Sequence, residues 1–291
     1  MSAASSPSEV HLAAEQLRRI RVSGSLDLAF ADRDGITRAV RVGEADGYRA
    51  RFTDATPYAE AILLNTGGGV AGGDKVHVAC HLGANSDVVT TSVTAERIYR
   101  SSDVASAIDI EIALAAGARL AWLPQETILY SGSHLRRQIA VTMAPRSELT
   151  LLDVLVLGRR GSGEKMVSGM VADRWTVRHG GKLIHMEALR LDGAIEERLA
   201  RAAVTGGANV VATLLHVAPG AGEQLERVRA AIAVATASLS DEFSTPEIAA
   251  SAWGGKLIVR AIGRKLDALR AVFAAVCPVL TGRPMPRSWR L

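Results

Sequence analysis

The residues most able to do chemistry crowd into positions 65–81. Asn65-Thr66-Gly67-Gly68-Gly69-Val70-Ala71-Gly72-Gly73-Asp74 sets five glycines between two apolar runs, and Gly67, Gly69 and Gly72 match G-x-G-x-x-G directly after Ala61-Ile62-Leu63-Leu64. A dinucleotide-binding loop of that form hands the phosphates to a helix N-terminus. Here Lys75-Val76-His77-Val78-Ala79-Cys80-His81-Leu82 follows, with its most apolar side chains at even positions. That is strand periodicity, and it leaves no helix for a pyrophosphate. A Walker loop fails as well. Lys75 follows Asp74 instead of glycine, no Ser or Thr comes next, and a carboxylate inside an anion cradle repels phosphate. The expected role of the loop is structural, a backbone with φ > 0 at positions such as Gly68 and Gly72.

His77, Cys80 and His81 invite a metal reading, since imidazole and thiolate suit nickel, copper and zinc. On a strand, His77 and His81 share a face but lie roughly 13 Å apart, too far to close on one ion, and Cys80 points the other way with Val76 and Val78. The expected arrangement is a core Cys80 beneath surface histidines. Nucleophilic catalysis has no better support. Neither Cys80 nor Cys277 lies in an electropositive turn, and Gly161-Ser162-Gly163 leads into Glu164-Lys165-Met166 without the helix that a nucleophile elbow requires. Asp74, Glu126, Asp153 and Glu164 stand out because each sits in or beside an apolar or glycine-rich segment. Such carboxylates either accept backbone N–H groups at strand ends or line a polar passage that binds divalent ions loosely.

The elements that must position these residues are mostly strands. Ile108, Ile110, Ile112 and Leu114 alternate with Asp109 and Glu111; a strand-like run follows over 120–130. The pattern resumes at Leu135, Arg137, Ile139, Val141 and Met143, and Pro145 closes it before the apolar run 149–157. His179-Gly180-Gly181-Lys182 between apolar segments is a hairpin signature. Helical spacing comes late, at 223–239 (Leu225, Val228, Ile232, Ala235, Leu239) and at 265–277 (Leu266, Leu269, Phe273, Val276), ending at Pro278. The expected fold is mainly β, a strand-rich stacked, sandwich-like or β-helical body with a few late α-helices. No strict period marks a solenoid.

With 291 residues, 48% hydrophobic and 22% charged, the chain can bury a sizeable core. Aromatics at 4% and a net charge of +4 from scattered Arg and Lys give no basic stripe for nucleic acid. No apolar run approaches the ~18 residues of a membrane span. Two cysteines fit a reducing compartment, and cytoplasm is expected. Residues 1–9 lack a basic start and an apolar stretch, so 1–19 read as a flexible terminus ahead of one domain over 20–291.

Five segments in order resemble the urease accessory protein UreD (UreH) family. They are the glycine segment with Asn65, Gly67, Gly68, Gly69, Gly72 and Gly73; Thr90-Thr91 ahead of Tyr99-Arg100-Ser101; Leu123-Pro124-Gln125-Glu126; Gly158-Arg159 with Gly163-Glu164; and Pro286-Arg287-Ser288-Trp289. The resemblance implies a non-enzymatic scaffold that binds the urease apoprotein and, with UreF and the GTPase UreG, supports nickel insertion. It implies no tightly bound cofactor, and nickel only in transit. Asp74, Glu126 and Glu164 are the carboxylates expected to serve a nickel conduit, with His77 and His81 behind them. The competing readings are a β-scaffold for protein binding unrelated to urease and a dinucleotide-binding enzyme using residues 67–72.

Overall fold

The computed structural model describes residues 21–53, 56–102, 104–239 and 245–289; the expected flexible terminus lies outside them. In chain order the strands are β1 (Ser23–Arg33), β2 (Ile36–Ala45), β3 (Tyr48–Thr53), β4 (Ala59–Asn65), β5 (Lys75–Leu82), β6 (Asp87–Ser92), β7 (Glu96–Ile98), β8 (Ser106–Leu114), β9 (Arg119–Leu123), β10 (Thr127–Leu129), β11 (His134–Met143), β12 (Glu148–Arg159), β13 (Glu164–Lys165), β14 (Ser168–His179), β15 (Lys182–Ala194), β16 (Val210–Val217), β17 (Glu247–Trp253) and β18 (Lys256–Gly263). The helices are α1 (Ile195–Ala200), α2 (Leu225–Ala237) and α3 (Leu266–Thr281).

From β5 to β14 the chain coils, crossing alternately between two sheets. The first sheet runs β15-β14-β11-β8-β5-β1-β2 and the second β17-β18-β16-β12-β9-β6-β4-β3. Because each turn returns in the same direction, β5, β8, β11 and β14 pair in parallel, as do β6, β9 and β12. The result is a solenoid-like β body, as expected. Equivalent positions fall at Lys75, Ala107, Arg136 and Ala172. Those steps are unequal, which is why no sequence period betrays the coil. The long strands β14 and β15 close it as an antiparallel hairpin over Gly180 and Gly181, both at φ > 0, as the hairpin signature foretells.

The first core fills the space between the sheets, with Leu28, Cys80, Ile112, Val141 and Val177 from one and Leu149, Leu151, Leu155 and Leu157 from the other. The second lies on the far side of the second sheet, where Leu152, Val154 and Val156 meet Val228 and Ile232 of α2 and Leu269, Phe273 and Val276 of α3. Apolar contact on both faces explains why β12 reads as a mostly apolar run, interrupted only at Thr150 and Asp153 between Leu149 and Leu157, and not as an alternating one. Two expectations fail locally. The strand-like run 120–130 breaks at 124–126, where Pro124 has no N–H to give the ladder, leaving β9 and β10 separate. Pro278 does not end the last helix, which continues to Thr281. A proline in the final turn forfeits one hydrogen bond; Leu280 packs into the core, and Gly282, at φ +65°, closes the end by donating its N–H to the Pro278 carbonyl at 3.0 Å. Strands β16 to β18 and the short α1 are not among the expected elements, although Gly254-Gly255, both at φ > 0 between β17 and β18, repeat the two-glycine hairpin signature of Gly180-Gly181.

Candidate functional site: a cavity with buried charged groups between the sheets

The glycine segment builds one wall of an internal cavity. Asn65, at the end of β4, donates its amide to the Tyr48 hydroxyl at 3.0 Å, to Glu96 Oε1 at 3.0 Å and to the Gly69 carbonyl at 3.2 Å, while its Oδ1 accepts from Gly67 N at 2.9 Å. Tyr48 in turn donates to Glu96 Oε2 at 3.2 Å. Burial pushes the Glu96 carboxyl up from its usual range, against the pull of the Asn65 and Tyr48 hydrogen bonds. The same burial, with Glu96 beside it, raises the Tyr48 phenol. Gly68 and Gly69 adopt φ of +76° and +153°, and a Cβ on Gly69 would stand 2.5 Å from the Tyr99 ring. Gly72 differs from expectation. Its φ is not in the left-handed region; glycine is required because a Cβ there would fall on the Ser101 side chain.

Behind this wall lies a cavity of about 230 Å³, bounded by Tyr48, Asn65, Glu96, Trp122, Gln125 and, at its floor, Arg137 with Asp153. The break after β9 opens the second sheet at this point. Arg137 occupies an inward position of β11, in register with Val76 of β5 and Ile108 of β8, where a charge is out of place, and Asp173 of β14 stands beside it on the same row. Asp153 reaches it from β12 of the other sheet. Burial alone would lower the Arg137 guanidinium; the two aspartates more than offset this and hold it charged.

The carboxylates expected from sequence are distributed and not gathered. Asp74 accepts from the N–H of Val22 at 2.9 Å and of Ala71 at 2.8 Å, tying the glycine segment to the start of β1. Glu126 accepts Arg270 of α3 at 2.7 Å. Glu164 accepts Arg159 Nε at 2.5 Å and Ser131 N at 3.3 Å. His77 is exposed and His81 half-buried on the outer face of β5, while Cys80 is fully buried, its thiol pushed up to about 12 by burial. Among the described residues no cluster of three His, Cys, Asp or Glu side chains is placed to hold a metal ion. Glu96, Arg137 and Asp173 were absent from the sequence candidates. Arg137 alone carried a local signal, a charge in the apolar phase of an alternating strand.

The remaining motif residues brace this frame. Tyr99 donates to the Gly68 carbonyl at 2.8 Å and meets Tyr130 edge-on at 5.1 Å, with the Arg159 guanidinium 4.1 Å above the Tyr130 ring. Arg100 lies against Gly132 and donates Nε to the Ser131 carbonyl. Gly158, at φ +86°, admits the Met166 backbone to 2.7 Å of where a Cβ would sit. At the C-terminus Pro286 and Trp289 are buried and Arg287 is exposed. Trp289 donates Nε1 to the Leu123 carbonyl at 2.9 Å, and Gln125 Nε2 donates to the Ser288 carbonyl at 2.8 Å. The tail and α3 thus grip residues 123–126, which border the cavity.

Fold and site together define a helix-backed β-solenoid whose buried polar groups line an inter-sheet cavity. The model of the family described as UreD urease accessory protein matches residues 22–290. A urease accessory protein UreD of Methylobacterium sp. (strain 4-46) is 40% identical over 275 residues, 94% of this chain and 96% of that one. Another, of Rhodopseudomonas palustris (strain BisB5), is 38% identical over 291 residues, 99% of each chain. The chain belongs to the UreD urease accessory protein family. No described helix is long and apolar enough to cross a membrane.

Proposed function

We propose that this protein is a cytoplasmic, non-enzymatic urease maturation factor: a scaffold that binds the urease apoprotein and, with UreF and the GTPase UreG, supports insertion of nickel into the urease active site. The observation that carries the reading is an inter-sheet cavity, in a chain of this family, whose largely apolar wall carries the charged groups Glu96, Arg137 and Asp153. Nickel is cargo here, not a resident cofactor. Glu96 and Asp153 offer oxygen to a divalent ion along the cavity wall, and oxygen ligands release such ions more readily than thiolates do. Asp74, Glu126 and Glu164 do not line this cavity; each is engaged by backbone N–H groups or an arginine and braces the segments around it. The energy for insertion comes from the partner, consistent with a glycine segment followed by strand β5 and carrying Asp74.

Deletion of the gene tests the reading. Urease subunits should accumulate to normal abundance without nickel and without activity, as metal analysis of the purified enzyme would show. Nickel-replete urease from the deletion strain at ordinary nickel supply would overturn it.

A further inference from the structure

The inward row Val76, Ile108, Arg137, Asp173 of the first sheet begins apolar and ends in an ion pair. Arg137 donates Nε to Asp173 Oδ1 at 2.9 Å and Nη2 to Asp173 Oδ2 at 2.7 Å, a fork within its own sheet. Across the gap it donates Nη1 to Asp153 Oδ1 at 2.8 Å, and Nη2 to Asp153 Oδ2. Thr127 accepts a further bond from Nη1 at 3.3 Å, and Trp175 Nε1 donates to Asp173 Oδ2 at 3.2 Å. The Arg137 side chain is 5% exposed. Stability alone does not call for this cluster, because apolar groups of similar volume stabilise a core as well or better.

Its position is what distinguishes it. The cavity described above has Arg137 and Asp153 in its wall. A second space, a cleft of about 520 Å³ between the edge strands β15 and β17, has Asp153, Asp173 and Trp175 in its wall, with Glu187, Glu247 and Arg260 nearer its mouth. Asp153 borders both. The ion cluster is the partition between two spaces, each with charged groups set in a mostly apolar wall, that enter the solenoid from different sides.

We propose that Arg137 is the gate of a passage between the sheets. With the guanidinium spanning both aspartates, cavity and cleft are separate. Released from Asp153 but kept by the two-bond fork of Asp173, it withdraws along its own sheet, and the two spaces join with the Asp153 carboxylate free to meet a cation. Because the fork persists, opening leaves Arg137 paired with Asp173. A divalent cation is the suitable trigger, since it competes with the guanidinium for Asp153. The gate rests on the reading above that nickel crosses this protein.

The test uses the full chain assembled with its accessory partners and urease apoprotein, and follows the initial rate at which urease acquires nickel. Arg137→Met keeps length and removes the charge, so the rate should rise several-fold with assembly unchanged; loss of a merely structural residue would not raise it. Arg137→Lys, which reaches one carboxylate at a time, should give an intermediate rise and serves if the uncharged variant does not fold. Ile139→Trp fills the cavity beside the cluster and should stop loading. Rates at or below wild type in assembled Arg137 variants, with Ile139→Trp still blocking, would overturn the gate and leave the passage standing. Wild-type loading by a folded Ile139→Trp complex would overturn the passage itself, and the gate with it.

Discussion

Trp289 is the residue on which the C-terminal segment's hold over the cavity rim depends. Its side chain is buried against the outer core of the second sheet, its Nε1 donates to the Leu123 carbonyl at 2.9 Å, and Arg270, which also binds Glu126, lies 5.8 Å from its ring centroid. Trp289→Ala removes the indole from that core and should cost about 3–5 kcal/mol. Trp289→Phe keeps most of the apolar contact and loses only the indole donor, a cost of about 1 kcal/mol. At roughly 2–4 °C per kcal/mol for a chain of this size, the alanine variant should melt on the order of 10 °C below wild type and the phenylalanine variant a few degrees below. Urea unfolding followed by circular dichroism, with thermal melts alongside, measures both. An alanine variant with wild-type midpoint would refute the reasoning, since the tail would then be no part of the cooperative structure. Equal losses in the two variants would refute the apportioning between packing and hydrogen bond.

Three further outcomes follow from the same geometry. Gly72→Ala should lose soluble protein through collision with Ser101 and with the Val104 carbonyl, and Ser101→Gly should restore it only in part because the carbonyl, 2.9 Å from the added Cβ, remains, whereas Gly68→Ala, at φ +76° with open space around it, should cost only about 1–2 kcal/mol; urea midpoints distinguish these. Buried His216 is bonded to Thr150 at 2.9 Å and its pKa is lowered to about 4 by burial, so the unfolded chain takes up a proton near 6.5 that the native state refuses until about pH 4. Stability should therefore fall by about 3 kcal/mol as pH drops through that window, and His216→Gln should flatten this part of the profile. Neither NAD nor GTP should bind the isolated chain at micromolar concentration by calorimetry, because strand β5 follows the glycine segment where a phosphate-binding helix N-terminus would be needed.

Much of the scaffold was legible because it is written locally. Alternation gave β5, β8 and β11; two adjacent glycines gave the β14–β15 turn; and the strand after Gly73 ruled out a nucleotide loop without reference to any distant residue. Helices α2 and α3 showed in their spacing, though the proline in the last turn of α3 misplaced its end because packing of Leu280 and a glycine cap outweighed one missing hydrogen bond. What only tertiary structure decided is who faces whom. Arg137 in an apolar phase and Asp153 in an apolar run are each visible along the chain, but their pairing, and Asp173 as third member, depends on coil turns of unequal length bringing β11, β12 and β14 to one level. Glu96 likewise gains its meaning from Asn65 and Tyr48, contacts 31 and 48 residues away. Strand periodicity states which side a residue points to; the register between strands, set by the packing of the whole coil, states what it meets there.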